Sequence, residues 1–405
     1  MIATTEKIEY GKEIIEFELL QEDRKTLSIE VLPTTKIKVK APENKNRQDI
    51  IKKVQNKAKW ITKQKRYFAI PLIFDKEKYM YLYKNVRVIL ENEIKELEVL
   101  TRDEKIVEIA EKIDCPSAEI IDGNGRFLSA GFIDLHVHGG GGFSAMGTKD
   151  DILNMARAHA KYGTTSILPT ALAAPLSQLS EVCANTRLAM SENRNILGSH
   201  LEGPFLSVKM CGAQSTDNLF VPSETNYTDF LDEYGDTVKM MGVAPELDGA
   251  FELGEELAKR GIVASVAHSS GNYDTAYESL NHGFSDITHV YNACTSCYKE
   301  GVFRRAGTVE AALSDDRFSV QAISDLVHLP VGVLRLIYKA KGSDKMYLIT
   351  DGLEFSAFDM NEGEEFTQKN GVKVVYEDEV MKLADRSCLA GSTANGARLV
   401  RNMYK

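Results

Sequence analysis

Hydrophobic and polar positions follow three different patterns along the chain, and each pattern predicts a different structure. The first is a set of short apolar runs separated by charged or proline-containing breaks, at residues 14–20, 27–32 and 37–41. Such runs are typical of a small antiparallel sheet. The second is a helical repeat of apolar residues, at Ile50, Val54, Ala58 and Ile61. It predicts one amphipathic helix over residues 47–67 with a lysine-rich outer face.

The third pattern follows a stretch of short strand-like runs and charged turns at residues 79–128. Eight further apolar runs then recur, at residues 132–137, 165–170, 196–202, 238–244, 262–268, 285–290, 318–324 and 345–350. Helical patterns lie between them, for example at 150–162 and 250–260. Eight strands that alternate with helices predict a (β/α)8 barrel of the TIM type, so the predicted fold class is α/β.

Charge and histidine content separate the N-terminal part of the chain from the rest. The 405 residues include 49 Lys and Arg against 59 Asp and Glu, a net charge of −10. Residues 1–70 carry 16 Lys and Arg and 10 Asp and Glu, whereas all eight histidines lie between His136 and His328. We therefore predict an N-terminal α+β segment at 1–70, strands of a small β-sandwich at 79–130 and the barrel at 131–405. The acidic total disfavours a general nucleic-acid binder.

Membrane and redox features of the sequence favour a cytoplasmic protein. It has no run of 18 apolar residues, and its first residues lack the basic-then-apolar layout of a signal peptide. Its six cysteines are interpreted as free thiols. Cys294 and Cys297 have CxxC spacing, but no second pair completes a four-thiolate zinc site, so we interpret this pair as structural or incidental. We expect no membrane partner.

Histidines and carboxylates cluster at the ends of the predicted barrel strands, where (β/α)8 barrels build their active sites. Six of the eight strands deliver such a residue, namely His136 and His138, Glu202, His268, His289, His328 and Asp351. Alternate residues of a strand point the same way, so His136 and His138 can face the barrel mouth together. Imidazole and carboxylate are ligands of Zn, Fe, Mn and Co. The sequence therefore predicts a divalent metal site.

Three other histidines are assigned to structural roles. His159 and His282 lie within helical stretches, away from the strand ends. His200 is expected to point to the opposite side of its strand from Glu202 and to pack there.

The predicted ligand set is suited to hydrolysis. A metal held by His and Glu lowers the pKa of a bound water toward neutrality and polarises a carbonyl. The reaction also needs a group that carries a proton from the attacking water to the leaving nitrogen or oxygen. Asp351, at the end of the eighth predicted strand, is the predicted group. The alternative is that Asp351 caps the helix that follows the strand.

A series of motifs resembles the N-acetylglucosamine-6-phosphate deacetylases of the amidohydrolase superfamily. In chain order they include SAGFIDLHVHGGGG, GSHLEGPFLSVKMCGAQ, VASVAHSS, THVYNAC, AISDLVHLP, LITDGL and LAGSTANGARLVRN. The resemblance spans about residues 80–405, and the combination of HLEGPF with the later HxYNA is specific. It implies hydrolysis of the acetamide of N-acetylglucosamine 6-phosphate to glucosamine 6-phosphate and acetate, a step of amino-sugar catabolism.

The resemblance also implies roles for individual residues. Glu202, His268 and His289 match the main metal site of the family, and Asp351 matches its acid/base. His136 and His138 match the HxH that some members use for a second ion, which implies one or two ions in each chain. The matched substrate-binding positions are Ala213, Gln214, Asn292, Ala293, Arg304, His328, Leu389, Ala390 and Gly391. The family is usually homodimeric.

Two segments depart from the family pattern. The REPG-like segment reads FRRAG here, and Arg304, with Arg305 as the alternative, matches the arginine that binds the phosphate. Family members continue beyond the position of Lys405 with further sandwich strands, so we expect an incomplete small β-sandwich. Residues 36–68 resemble the N-terminus of a zinc-metallopeptidase-like hydrolase family, but the sequence contains no HExxH.

Two alternatives to the deacetylase remain open. One is another amidohydrolase, acting on an N-acyl amino acid or a cyclic amide. The other is a truncated or fused chain that binds sugar phosphate without catalysis. A zinc peptidase led by residues 1–70 is disfavoured by the missing HExxH.

Overall fold

The structure, a computed structural model, forms two compact units, Met1–Ala130 (unit one) and Gly131–Lys405 (unit two). It describes residues 2–11, 13–24, 26–31, 36–62, 80–103, 105–358, 360–368 and 371–404. No helix in these ranges is long and apolar enough to cross a lipid bilayer. All six cysteines are free thiols, as the sequence predicts.

Unit one begins with a four-stranded mixed sheet. Its strands are β1 (Ile2–Tyr10), β2 (Glu13–Glu22), β3 (Ser28–Val31) and β4 (Ile37–Pro42). They lie in the order β1-β2-β4-β3, with β1–β2 and β3–β4 antiparallel but β2–β4 parallel. The prediction of an antiparallel sheet is therefore wrong in one pairing. The physical reason is that apolar runs specify strands but not which strands become neighbours.

The predicted helix of unit one is confirmed over its described part. Helix α1 (Arg47–Asn56) is followed by a turn at Lys57, and residues 58–62 are again helical. The four apolar residues of the helical repeat are almost completely buried in one cluster with the inner face of the sheet, including Phe17 and Val39. Residues 63–67 of the prediction lie outside the described residues.

A second sheet in unit one covers the region between residues 80 and 128. Its strands are β5 (Met80–Ile89), β6 (Ile94–Arg102), β7 (Lys105–Ala110) and β8 (Glu119–Leu128). They lie in the order β7-β6-β5-β8, and β5–β8 is the parallel pair. Leu82, Leu100 and Ile113 form one buried cluster on this sheet, and Val86 belongs to a second.

Unit two contains all eight predicted barrel strands, which confirms the α/β barrel. The strands of this unit are β9 (Phe132–Val137), β10 (Gly139–Gly140), β11 (Phe143–Ser144), β12 (Thr164–Ala171), β13 (Ser199–Glu202), β14 (Val238–Val243), β15 (Val263–Val266), β16 (Phe284–Ile287), β17 (Tyr298–Glu300), β18 (Phe303–Arg305), β19 (Ser319–Ala322), β20 (Met346–Leu348), β21 (Glu364–Thr367), β22 (Lys373–Glu377) and β23 (Val380–Leu383). Eight of them form one parallel sheet in the order β9-β12-β13-β14-β15-β16-β19-β20. Strands β10–β11 and β17–β18 form two hairpins, and β21–β23 form an antiparallel sheet.

The first and last barrel strands are joined just beyond their ends. Val137 forms a parallel bridge with Gly352, and the amide of Asp351 donates to the carbonyl of His136 at 2.9 Å. The carboxylate of Asp134 accepts the amide of Thr350 at 3.2 Å. These bonds place the end of β9 directly beside Asp351.

Helices alternate with the barrel strands and bury their apolar faces against them. They are α2 (Lys149–Ala160), α3 (Leu176–Glu192), α4 (Tyr227–Tyr234), α5 (Ala250–Lys259), α6 (Tyr273–Ser279), α7 (Thr308–Ser314), α8 (Val331–Lys345) and α9 (Gly396–Tyr404). Short 3-10 helices lie at Val208–Met210, Thr216–Asn218, Pro222–Glu224 and Leu280–His282. In the main core, Leu253 and Leu257 of α5 belong to the same buried cluster as Phe284 of β16. Burial of this kind fixes the strands whose ends carry the site.

Candidate metal centre and active site

Six buried histidines and carboxylates converge at the C-terminal ends of the barrel strands. They are His136 and His138 at the end of β9, Glu202 at the end of β13, His268 after β15, His289 after β16 and Asp351 after β20. None of the six is more than 9% exposed. The strand ends therefore bring together the residues that the sequence assigns to a metal site and to proton transfer.

Glu202 is the central carboxylate of the cluster. Its Oε1 lies 2.8 Å from Nε2 of His289 and 3.1 Å from Nε2 of His268. Its Oε2 lies 3.3 Å from Nε2 of His138. Glu202 thus contacts His268 and His289 through one carboxylate oxygen and His138 through the other.

The six residues form two groups, each with ligand atoms close enough to share one ion. In the first group, Glu202, His268 and His289, these atoms all lie within 4.8 Å of one another, and the same holds for His136, His138 and Asp351. In the second group, Oδ1 of Asp351 is 3.1 Å from Nε2 of His138 and 3.4 Å from Nε2 of His136.

The outer nitrogen of each histidine is held by an oxygen acceptor. The Nδ1 atoms contact Oε1 of Gln321 (2.9 Å, from His136) and the carbonyls of Thr170 (3.0 Å, from His138), Met210 (2.8 Å, from His268) and Asn292 (3.0 Å, from His289). A carbonyl oxygen can only accept, so Nδ1 carries a proton, and Nε2 directs into the cluster either a lone pair, in the neutral ring, or a second proton whose place a metal ion would take. This is the arrangement of metal-ligating histidines, so the donor set fits a divalent cation.

Three of the six residues have a left-handed backbone. The φ angles of His268, His289 and Asp351 are 44°, 27° and 47°. This conformation costs non-glycine residues energy, and it concentrates at functional sites where the surrounding structure enforces it. Here it turns the chain directly after the strand, so that the side chain points into the barrel mouth.

The surrounding histidines shift the pKa values of the two carboxylates downward, against the effect of burial. Burial alone would raise the pKa of Glu202, but the charge of His136 and the hydrogen bonds from the other histidines outweigh it and hold it well below its ordinary value. For Asp351, burial is likewise outweighed by the hydrogen bond from His138 and the charge of His136, and the pKa falls to about 2.

The pKa values of His136 and His138 shift in opposite directions. Burial lowers the pKa of His136 to about 4. Burial also opposes charge on His138, but its contacts with Asp351 and Glu202 prevail and raise its pKa to about 10. The carboxylates of Glu202 and Asp351 therefore stabilise a positive charge at the centre, which can be a proton on His138 or a metal ion.

A cavity of about 390 Å³ opens above the cluster, within the usual size range of small-molecule sites. The predicted substrate-binding residues that line it are Ala213, Gln214, Asn292, Ala293, His328, Leu389, Ala390 and Gly391. His138, Glu202, His268, His289 and Asp351 line it as well, whereas His136 is fully buried beneath it. The loop at 388–391 follows the β21–β23 sheet and forms part of the cavity wall.

Two of the lining side chains are held in place by carboxylates. Gln214 donates from Nε2 to Oε2 of Glu202 at 2.7 Å, and its Oε1 accepts the amide of Ala173 at 3.0 Å. Nδ1 of His328 lies 2.7 Å from Oδ2 of Asp325. That contact leaves Nε2 of His328 as the ring atom available to a ligand.

Arg304 is the predicted site residue that the structure does not bring to the cavity. It lies on the exposed β17–β18 hairpin and is absent from the cavity lining. The alternative, Arg305, is paired with Glu300 at 2.7 Å on the same hairpin. The match to the family pattern could not locate the arginine in space, because the register of this segment differs here.

Lys209 is a lining residue that the sequence reasoning missed. Among the described residues that line the cavity, it is the one lysine or arginine. Its sequence signal was present, since Lys209 is the one basic residue between Glu202 and Gln214. The other missed lining residues are Leu172, Met210, Gly212, Tyr291, Leu353, Gln368 and Cys388.

His200 does not point away from the cluster as expected. Its ring packs edge-on against His136, with centroids 4.6 Å apart, and its Nδ1 contacts the carbonyl of Leu135 at 3.0 Å. The expectation was wrong because residues two apart on a strand share a face, so His200 lies on the same side as Glu202. His159 contacts the carbonyl of Gly139, and His282 contacts Glu255, outside the two groups.

Comparison with known proteins finds similarity over most of this chain. The sequence profile of the Amidohydrolase family matches residues 127–402. An N-acetylglucosamine-6-phosphate deacetylase of Bacillus subtilis (strain 168) is 33% identical over 282 residues, covering 67% of this chain and 70% of the relative. An N-acetylgalactosamine-6-phosphate deacetylase of Escherichia coli O157:H7 is 30% identical over 71% of this chain and 74% of its own. The crystal structure of the N-acetylglucosamine-6-phosphate deacetylase of Pasteurella multocida is similar, with a TM-score of 0.73 and 26% identity over 81% of this chain and 84% of that one.

Proposed function

The chain belongs to the amidohydrolase family, and on that premise we propose that it hydrolyses the acetamide of N-acetylglucosamine 6-phosphate to glucosamine 6-phosphate and acetate. The observation that carries this proposal is the convergence of six buried histidines and carboxylates, five of which line one cavity while His136 lies beneath it. The names of the similar deacetylases supply the substrate class.

Divalent metal is the proposed cofactor, with one or two ions in each chain. Glu202, His268 and His289 would hold the first ion, and His136 and His138 with Asp351 would hold a second. All four histidines direct a lone pair inward, which suits Zn, Fe, Mn or Co. When bound, a divalent ion supplies a Lewis acid that polarises the amide carbonyl and makes a water molecule acidic enough to react near neutral pH.

Asp351 is the proposed proton carrier. Its pKa of about 2 keeps it ionised at neutral pH, so its carboxylate accepts a proton from the attacking water. The same carboxyl group then delivers this proton to the nitrogen as the carbon–nitrogen bond breaks. Asp351 lies in the lining of the cavity, so it reaches both water and substrate.

The cavity walls offer separate partners for the sugar and for its phosphate. His328, held by Asp325, and the amide side chains of Gln214 and Asn292 present polar groups to the sugar. A phosphate on a chain of net charge −10 needs a local cation, and Lys209 supplies one at the cavity. Arg304 remains the alternative cation from the family pattern.

The epimeric substrate N-acetylgalactosamine 6-phosphate is the second candidate, because similar proteins carry that name at 30% and 31% identity. The reaction and the proposed metal centre are the same for both sugars, and only the sugar contacts differ. The other open alternative is an N-acyl amino acid or a cyclic amide.

A substrate panel tests the proposal. Acetate release is measured with the metal-loaded chain on the two acetylated sugar phosphates and on unphosphorylated N-acetylglucosamine, and hydrolysis is followed on an N-acetyl amino acid and a cyclic amide. We expect the highest kcat/KM on N-acetylglucosamine 6-phosphate and a large loss without the phosphate. A preference for the galactosamine epimer would move the assignment to that sugar. Equal rates without phosphate, or a preference for the amino acid or cyclic amide, would contradict it.

We also propose that the chain works as a homodimer, on the strength of the family resemblance. Sedimentation velocity of the purified chain at micromolar concentration tests this assembly, and a monomer would contradict it.

A further inference from the structure

A buried polar network lies beneath the candidate metal centre, on the side of His136. Gln321, on β19, is fully buried, and its Oε1 lies 2.9 Å from Nδ1 of His136. Its Nε2 donates to Oδ2 of Asp286, on β16, at 2.8 Å, and it also contacts Sδ of Met240 at 3.4 Å. Gln321 therefore links a candidate metal ligand to a carboxylate inside the barrel.

Asp286 is surrounded by donors. The hydroxyl of Tyr347 donates to its Oδ1 at 2.9 Å, and the hydroxyl of Ser265 donates to its Oδ2 at 2.7 Å. Burial raises the pKa of Asp286 to about 6, so the group is a carboxylate at neutral pH. Burial and the neighbouring Asp286 raise the pKa of Tyr347 well above its ordinary value, so its hydroxyl stays a donor.

The carboxylate decides which end of the Gln321 amide faces His136. Were the amide reversed, its oxygen would lie about where Nε2 now lies, at hydrogen-bond distance from a carboxylate oxygen, and two acceptors would repel each other in a buried, low-dielectric site. Asp286 thus holds the amide nitrogen toward itself and the amide oxygen toward His136. An oxygen at that place requires the proton of His136 to sit on Nδ1.

We propose that Gln321 and Asp286 are positioning residues that fix the tautomer of His136 and thereby enable the His136–His138–Asp351 group to bind a divalent ion. With the proton on Nδ1, the lone pair of Nε2 points at His138 and Asp351. With the proton on Nε2, His136 could not be a ligand. The other three histidines use backbone carbonyls for the same purpose, so His136 is the one of the four that depends on an orientable side chain.

This inference rests on the metal centre of the proposed function but not on its substrate. Partners of this kind around ligating histidines typically change metal affinity by about 10- to 100-fold when they are replaced. The expected effect is confined to the second ion, because among the described residues the side chain of Gln321 makes hydrogen bonds to His136, Asp286 and Met240 and none to Glu202, His268 or His289.

The test is a titration of the demetallated full-length chain with Zn²⁺, followed by calorimetry and by metal analysis of the desalted protein. The variant Gln321→Met keeps the length of the side chain but removes the acceptor for Nδ1. We expect its second Zn²⁺ to bind about 10- to 100-fold more weakly, while the first binds as in the wild type. Retention of the first ion also shows that the barrel is folded.

Two further variants separate positioning from packing. Tyr347→Phe removes the hydroxyl that contacts Asp286 and the amide of Gln321, but it leaves the bond between Gln321 and Asp286 and the acceptor for His136 in place, so the second ion should bind as in the wild type. The double variant Gln321→Glu with Asp286→Asn exchanges the positions of the amide and the carboxylate. The carboxylate at position 321 still accepts from Nδ1 of His136, so binding of the second ion should be restored.

Four results would overturn the inference, and the first three concern the second ion alone. They are wild-type affinity for the second ion in Gln321→Met, an equal loss in Tyr347→Phe, or a wild-type chain that binds a single Zn²⁺. Loss of both ions in Gln321→Met would also contradict it, because the effect would not be confined to His136. The titration uses no substrate, so failure of the proposed deacetylation would be seen separately, as absence of acetate from the metal-loaded wild type.

Discussion

Four histidines of the centre share one arrangement, in which Nδ1 is bonded outward and Nε2 points inward. The Nε2 atoms of His136 and His138 are only 3.2 Å apart. Two lone pairs at that distance repel each other, so the pair needs a positive charge beside it, either the proton that the raised pKa of His138 keeps there or a divalent ion. At the scale of single residues, these contacts therefore favour a cation at the centre.

Replacing Asp351 tests its part in proton transfer. Asp351→Asn keeps the shape of the side chain but cannot accept the proton, so we expect kcat for acetate release to fall by about 10²- to 10⁴-fold. Metal content is measured on the same samples, and Asp344→Asn, at an exposed aspartate, is the matched control. Activity that persists in Asp351→Asn would contradict the role. Activity that saturating Zn²⁺ restores to the wild-type value in Asp351→Asn would show that Asp351 acts only as a ligand of the second ion, and it would also contradict the role in proton transfer.

Lys209 and Arg304 are the two alternative residues for binding the phosphate. We expect Lys209→Met to raise KM for N-acetylglucosamine 6-phosphate by about tenfold, the low end for a charged hydrogen bond because Lys209 is exposed. Arg304→Met, on the exposed hairpin, is the matched variant and should leave KM unchanged. Steady-state kinetics on both variants show which of the two side chains binds the phosphate. The reverse result would assign the phosphate to Arg304 and contradict the placement of Lys209.

At the scale of elements, short segments after the strands make the site. The left-handed residues after β15, β16 and β20 turn His268, His289 and Asp351 into the barrel mouth. Beyond β23, the loop at 388–391 closes one wall of the cavity, and its Gly391 has φ of 87°. A Cβ at this glycine would lie 2.8 Å from Cγ of Leu353, itself a lining residue.

Gly391→Ala should therefore disturb the cavity, whereas Gly371→Ala should not. Both glycines have φ of 87°, so both substitutions should lower the free energy of unfolding by about 1–2 kcal/mol. A Cβ at Gly371 meets nothing within 4 Å. Melting curves should show a loss of stability in both variants, larger in Gly391→Ala because of the added contact with Leu353, and kinetics should show a raised KM for Gly391→Ala alone. Equal KM values in the two variants would show that this loop does not shape the substrate site.

At the scale of the whole molecule, unit two carries all six groups of the centre, and the described part of unit one carries none of them. An ion that binds only the folded state stabilises it by RT ln(1 + [M]/Kd), about 2.7 kcal/mol when the ion is present at 100 times Kd. We expect chelation to lower the melting temperature of the transition that belongs to unit two, and added Zn²⁺ to restore it. Calorimetry measures both, and a melting profile indifferent to chelation would contradict a metal centre in this unit.

Much of this architecture could be predicted from the sequence, because it depends on periodic patterns. Eight apolar runs predicted eight parallel strands, and the ligand-type residues at their ends predicted which side chains would meet. Pairing order is not periodic, so the parallel β2–β4 pair of unit one was missed. Lys209 and Arg304 lie on segments whose path no repeat specifies. No sequence pattern distinguishes Gln321 and Asp286 from other polar strand residues, because only the closed barrel brings them together beneath His136.

We propose that the six-group centre hydrolyses an acetamide with the help of metal. The most direct test measures the rate of acetate release from N-acetylglucosamine 6-phosphate as Zn²⁺ is added back in known equivalents to the demetallated chain. We predict no acetate at zero equivalents and a rate that rises and saturates at one or two ions per chain. Full activity without metal, or no acetate at two bound equivalents, would contradict the account.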